Sequence, residues 1–135
     1  MANNPRPTPI LTETTRPFWD AAKHGRLMLQ YDPKAGKYQF WPRPVSVHTG
    51  TDKLEWREAS GKGTLFARTI VHVPARGFEN VAPYVLVAVE LDEGVRVVGR
   101  LIGIEPQDAK HGMRLKVCWE KLPDDGQYYA FENDE

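Results

Sequence analysis

The only thiol in the chain is Cys118, set in Lys116-Val117-Cys118-Trp119-Glu120. No histidine lies near it in the sequence, so the local pattern draws no thiolate–imidazole pair of the kind a cysteine nucleophile needs. It reads as a small hydrophobe on a strand. A single cysteine also excludes an internal disulfide and a cysteine-only metal site within the chain. The histidines His24, His48, His72 and His111 are scattered. His24 suits a helix C-terminus, where positive charge meets the carbonyl end of the dipole. His111 precedes Gly112 in a turn. His72 ends a strand-like run just before a loop, which makes it a candidate for contact with a ligand or partner as well as a plain surface histidine. Ser60-Gly61-Lys62-Gly63 lacks the upstream glycine of a phosphate loop and leads into a strand, so it is read as a turn. No Gly-x-Ser-x-Gly or His-Glu-x-x-His pattern occurs. With no nucleophile–base pair and no carboxylate pair at catalytic spacing, the expectation is a protein that is not itself an enzyme.

Recognition chemistry is better represented. Trp41-Pro42-Arg43-Pro44 is a stiff strip that offers an aromatic and a cation, Trp41 and Arg43, either to a partner or as a brace. The loop between Pro74 and Pro83 carries Arg76, Gly77 and Phe78. Aromatic and arginine side chains dominate binding hot spots, and prolines hold such a loop in shape. The competing role for Phe78 is to fold back and plug one end of the domain. Arg100, in a later strand, faces either a groove or the solvent.

These residues need elements to hold them. The chain has 135 residues, 41% hydrophobic and 27% charged, enough for one compact domain with a modest core. Basic and acidic residues each number 18, so the formal net charge is zero. A dedicated nucleic-acid binder normally carries a basic surplus. The first residues are polar and proline-rich, with no apolar core of a signal peptide, and no run is long enough to span a membrane, so a cytoplasmic setting is expected. Met1 to Leu11 should be extended. Thr14 or Thr15 can cap a helix that Pro17 opens and Gly25 stops, with Phe18 and Ala22 on one face, Trp19 beside it, and Lys23 and His24 in the last turn. From Arg26 the period becomes two. Leu27 to Gln30, a turn at Asp32 to Gly36, a return strand to Phe40, a turn at Ser46 to Lys53, and Leu54 to Glu58 make a small knuckle of hairpins. Thr64 to Val73 opens a run of longer strands. Tyr84 to Leu91 is so continuously apolar that it reads as buried on both faces. Val95 to Ile104, Leu115 to Leu122 and Gln127 to Phe131 complete five strands, with one short helical turn expected between Glu105 and Gly112. That order is OB-fold grammar.

The segments PFWDAAKHGRLMLQ, YQFWPRP, LEWREASGKGTLFARTIVH, PYVLVAVELDEGVRVVGRLIG and HGMRLKV, in that order, resemble the acyl-CoA-associated family, formerly a domain of unknown function, that joins a zinc ribbon to an OB-fold. The resemblance runs from about Arg16 to about Val117. It implies a mainly β chain: an N-terminal extension and helix over 1–25, a rubredoxin-like ribbon over 26–59 and a five-stranded OB-fold barrel over 60–135. It also implies a thiolase-like enzyme subunit as partner in a hetero-oligomer, and a coenzyme A thioester as the ligand class. The Trp41–Pro44 strip would suit its adenine and phosphates. One departure stands out. The two Cys-x-x-Cys pairs of such relatives fall on Asp32, Ala35, Ser46 and Thr49, none of them cysteine. Zinc in a structural site takes thiolate or imidazole ligands in a closed tetrahedral set. Asp32 and His48 are the only remaining donors of any strength, so no zinc is expected and the knuckle is a degenerate ribbon. Its rings, Tyr31, Tyr38, Phe40, Trp41 and Trp56, are the groups left to hold it, at about 2 kcal/mol for each well-buried ring.

Two functions compete. The first is a non-catalytic accessory subunit of a thiolase-like acyl-CoA enzyme, aiding complex stability and substrate binding. The second is a single-stranded nucleic-acid-binding OB-fold, which the zero net charge and the scarcity of exposed aromatics on YVLVAVEL both count against.

Overall fold

The computed structural model describes residues 6–134. Of the stretch expected to be extended, the first five residues lie outside the described ones, and residues 6–12 have no regular structure. Helix α1, Arg16–Ala22, follows Thr15, with Pro17 in its first turn. Thr15 does not cap it through its hydroxyl as expected. Instead Thr15 and Thr12 exchange bonds, each backbone N–H donating to the other's Oγ1 at 3.1 Å. Lys23 and His24 lie beyond the last helical residue rather than in the last turn, and Gly25 turns the chain at φ +70°. The helix buries Phe18, Trp19 and Ala22.

The knuckle is a three-stranded antiparallel sheet of β1 (Met28–Asp32), β2 (Lys37–Gln39) and β3 (Glu55–Glu58), ordered β2-β1-β3. The barrel follows: β4 (Lys62–Val71), β5 (Tyr84–Leu91), β6 (Arg96–Leu101), β7 (Arg114–Lys121) and β8 (Gln127–Asn133). It closes in the order β4-β5-β6-β8-β7, with β7 returning to β4 and a parallel contact between β6 and β8 at Leu101 and Phe131. A single 3-10 turn, Pro106–Asp108, fills the excursion expected to be helical. β4 starts and stops two residues earlier than its sequence pattern suggested, which leaves His72 and Val73 exposed in a bend. At Gly63 the strands crowd: a Cβ there would sit 2.4 Å from the carbonyl oxygen of Glu90, so no larger residue fits without parting β4 from β5.

The burial of β5 corrects the sequence reading. Val85, Val87, Val89 and Leu91 are buried, whereas Tyr84, Leu86 and Ala88 are only half-buried. A barrel has one interior, so alternate residues of even a continuously apolar strand must face outward. The interior is filled by Leu65, the inward residues of β5, Val97, Leu101, Leu115 and Phe131. The same core continues into the helix and knuckle through Phe18, Trp19, Leu27 and Leu29. Phe18 is the hinge of that continuity. Its ring centroid lies 4.9 Å from Trp19, 5.1 Å from Trp41, 5.7 Å from Phe40 and 6.1 Å from Tyr129, all edge-on. Edge-to-face contact is the favoured geometry for such rings. Among the described residues no helix is long and apolar enough to cross a membrane.

Candidate functional site

Closure of the barrel brings outward-facing residues of four strands, and the edge of the buried Tyr129, to one groove. Leu86 of β5, Arg100 of β6, Glu120 of β7 and Tyr128 and Tyr129 of β8 line a cavity of about 250 Å³ with Phe78, Tyr84, Leu122, Arg6 and Pro7. Its walls are apolar and aromatic. Its charges are two guanidiniums sharing one carboxylate. Arg100 Nη2 donates to Glu120 Oε1, and Arg6 Nη1 lies 3.4 Å from the same oxygen. Arg100 and Glu120 are each only 17% exposed at the side chain, and Arg100 Nε is buried with no hydrogen-bond partner among the described residues. Arg6 lies over the Phe78 ring, 4.4 Å from its centroid, and Phe78 leans on Tyr84 at 5.5 Å. Tyr128 and Tyr129 stack at 4.9 Å, and the Tyr129 hydroxyl donates to the Val98 carbonyl at 2.9 Å. Burial, with Tyr128 adding to it, pushes the Tyr129 phenol far above its usual range, so it acts as a donor and not as a base. The groove therefore suits recognition, and its residues form no nucleophile–base pair.

The sequence candidates divide. Phe78 and Arg100 meet in this groove. Arg76 and His72 are exposed on the same connection, outside the groove lining. Trp41 is half-buried in the ring cluster around Phe18 and Trp19, where it braces knuckle to helix. Arg43 is exposed, but its backbone is pinned: its N–H donates to Gln30 Oε1 at 2.8 Å, and its carbonyl accepts from Gln30 Nε2 at 2.9 Å. Glu120, Tyr128 and Tyr129 were not singled out from sequence. Glu120 is 20 residues from Arg100 and lies on the far side of β8 from it, so the pair forms across that strand in the closed barrel. Cys118 is half-buried, and burial, with Glu132 and Glu120 nearby, pushes its thiol up to about 11. That keeps it mostly in the less nucleophilic thiol form at neutral pH.

The knuckle holds a second constellation. Asp32, Ala35, Ser46 and Thr49 come together where two turns of the same construction meet. In the first turn Asp32 Oδ1 accepts the backbone N–H groups of Lys34 (2.8 Å) and Ala35 (3.1 Å), and the Gly36 N–H donates to the Asp32 carbonyl (2.8 Å). In the second, Ser46 Oγ accepts those of His48 (3.0 Å) and Thr49 (3.3 Å), and the Gly50 N–H donates to the Ser46 carbonyl (2.9 Å). Both glycines have positive φ, +68° and +75°. The turns are joined by Asp32 Oδ2, which accepts the Ser46 hydroxyl at 2.5 Å and the Thr49 hydroxyl at 2.7 Å. These bonds, led by that from Ser46, outweigh the opposing effect of burial and bring the Asp32 carboxyl down to about 2.

A structural zinc does not fit this set. Ala35 offers no donor atom, and both hydroxyls are already spent on the carboxylate. His48 Nε2 lies 3.1 Å from the Tyr38 carbonyl. The rings proposed to hold the knuckle contribute in part: Tyr31 and Tyr38 pack at 4.8 Å, with Arg57 3.6 Å above Tyr31. Phe40 and Trp41 turn toward Phe18 instead.

A helix and three-stranded knuckle ahead of a closed five-stranded barrel, with an aromatic groove on the barrel wall, define a small OB-fold protein built for contact. The profile described as ChsH2, C-terminal OB-fold domain, matches residues 56–120, from β3 to the end of β7. The chain has homologues among DUF35 domain-containing scaffold proteins, in line with the resemblance its ordered segments carry. It is 37% identical over 87 residues to a DUF35 domain-containing scaffold protein of Pyrococcus furiosus, covering 64% of each chain. It is 32% identical over 127 residues to the 3-oxo-4,17-pregnadiene-20-carboxyl-CoA hydratase alpha subunit of Mycobacterium tuberculosis, covering 94% of this chain and 40% of that one. Among solved structures, the Ltp2-ChsH2(DUF35) aldolase superposes with a TM-score of 0.85 at 27% identity, over 95% of this chain and all of that one. The chain spans 54%, 35% and 64% of the length of three curated relatives it matches.

Proposed function

We propose that the chain is a non-catalytic accessory subunit of an acyl-CoA-processing enzyme, with a thiolase-like subunit as partner and a coenzyme A thioester as the substrate class they handle together. The single observation that carries this is the likeness along almost the whole chain to the DUF35 component of an aldolase complex. Relatives described as scaffold proteins and as a hydratase alpha subunit support it. So does the groove, which combines apolar area, arginine and aromatic rings without a catalytic pair. Phe78 and Arg100 are the partner-facing anchors in this reading. Arg76, His72 and Arg43 are the exposed groups within reach of a neighbouring subunit or of coenzyme A phosphates.

The test is co-expression of the tagged chain with thiolase-like proteins encoded beside it, followed by affinity purification and light scattering. A stable hetero-oligomer is expected, with thioester turnover in the complex and none in the isolated chain. Phe78→Ala and Arg76→Ala should weaken the complex by about 1–2 kcal/mol each. Turnover by the isolated chain, or failure of every such enzyme to co-purify, refutes the proposal. Salt-dependent micromolar binding of single-stranded DNA would replace it with the nucleic-acid function.

A further inference from the structure

We propose that the Asp32 carboxylate takes the place of a metal ion in the knuckle: it is the charged group on which both turns converge, while Gln39 and His48 add neutral bonds from the first hairpin to the second turn, and the module is independent of metal by construction. The inference rests on how the two oxygens divide the work. Oδ1 is saturated by its own turn, through the amides of Lys34 and Ala35. Oδ2 is saturated by the other turn, through the hydroxyls of Ser46 and Thr49. One buried charge thus receives four donors, two from each turn, and Asp32 is 0% exposed. A carboxylate offers about four lone-pair sites, so the count closes without a cation. Charge-assisted bonds of this kind are stronger than neutral ones, which offsets the cost of burying the charge.

The residue types follow from that role. Serine and threonine each supply a proton that a cysteine thiolate ligating zinc has lost. Ser46 donates it to Asp32 while its lone pairs accept the amides of His48 and Thr49. Aspartate is short enough to accept amides two and three residues ahead, the geometry of an Asx turn. Ala35 has no side-chain donor to offer an ion, and its backbone N–H is what it gives the carboxylate. The arrangement is a complete replacement rather than a metal site with its ligands worn away.

The experiment compares the purified full chain with Asp32→Asn, Thr49→Val and the four-cysteine variant carrying Asp32→Cys, Ala35→Cys, Ser46→Cys and Thr49→Cys. Elemental analysis of the wild type should find no stoichiometric zinc, and a chelator should leave its thermal midpoint unchanged. Amide exchange by NMR should show His48 and Thr49 exchanging about ten- to a hundredfold faster in Asp32→Asn, although the change is in the other turn, while the amides of β5 keep their protection. Thr49→Val should give a smaller change of the same kind at Lys34 and Ala35. The four-cysteine variant, its barrel verified by β5 protection, should bind one cobalt ion with thiolate charge-transfer absorption, because its four sulfurs converge on one point. Stoichiometric zinc in the wild type, a chelator-induced drop in its midpoint, or unchanged exchange in the second turn of Asp32→Asn overturns the proposal. A folded four-cysteine variant that binds no cobalt overturns the convergence on which it stands.

Discussion

Phe18→Ala probes whether helix, knuckle and barrel are one cooperative unit. The ring is fully buried and meets Trp19 of its own helix, Phe40 and Trp41 of the knuckle and Tyr129 of the barrel. Truncating a buried phenylalanine costs about 3–5 kcal/mol, the sum of lost transfer energy and the cavity left behind. Edge-on ring pairs add roughly 0.5–1.5 kcal/mol each beyond area, and the four here belong to three separate parts of the chain, so collapse around the cavity is hindered. The expected loss is therefore no less than the middle of that range, about 4 kcal/mol. With an unfolding entropy of about 2.1 cal/mol/K per residue, that lowers the thermal midpoint by about 10–15 °C. Urea unfolding followed both by circular dichroism and by tryptophan fluorescence measures it. Trp19, Trp41 and Trp56 report on the N-terminal half, and Trp119 on the barrel. One transition common to both signals is expected in wild type and variant. A loss below about 1.5 kcal/mol, or a fluorescence transition that precedes the far-ultraviolet one in the wild type, would refute the shared core.

The remaining predictions concern charges. The folded Asp32 carboxyl lies at about 2, below its ordinary 3.8, so its stabilising contribution is complete above the ordinary value and is lost as the pH falls toward 2. Acid titration of knuckle amide shifts should show that loss in the wild type and none of it in Asp32→Asn. Cys118, raised to about 11 by burial, should react with iodoacetamide at pH 8 about a hundredfold more slowly in the native chain than in urea, from thiolate fraction alone. Glu120→Leu leaves Arg100 half-buried without its carboxylate and should cost about 1–3 kcal/mol in urea unfolding, whereas the double change Arg100→Met with Glu120→Leu should recover most of it. A double variant as unstable as the single one would refute that assignment.

The elements of this chain were legible because they are local. Tyr84 to Leu91 and its turn at Asp92-Glu93-Gly94 announce β5 through apolar content and a glycine, and Gly94 takes φ +91°. Gly25 and Pro17 mark the ends of α1 for the same reason: the preferences that place them act within one turn of chain. Even the four positions of the knuckle could be named from the ordered resemblance alone. Their meaning could not. Asp32 meets Ser46 and Thr49, 14 and 17 residues on, and nothing local says whether the four positions hold an ion, a void or a carboxylate with its donors. The outward half of β5 and the pairing of Arg100 with Glu120 were hidden likewise, because they depend on which way a closed barrel faces and on β6 and β7 lying on either side of β8. Sequence preferences act over a few residues and set the elements. Charge pairs and shared cavities act through space, and only the packed chain determines which distant side chains meet.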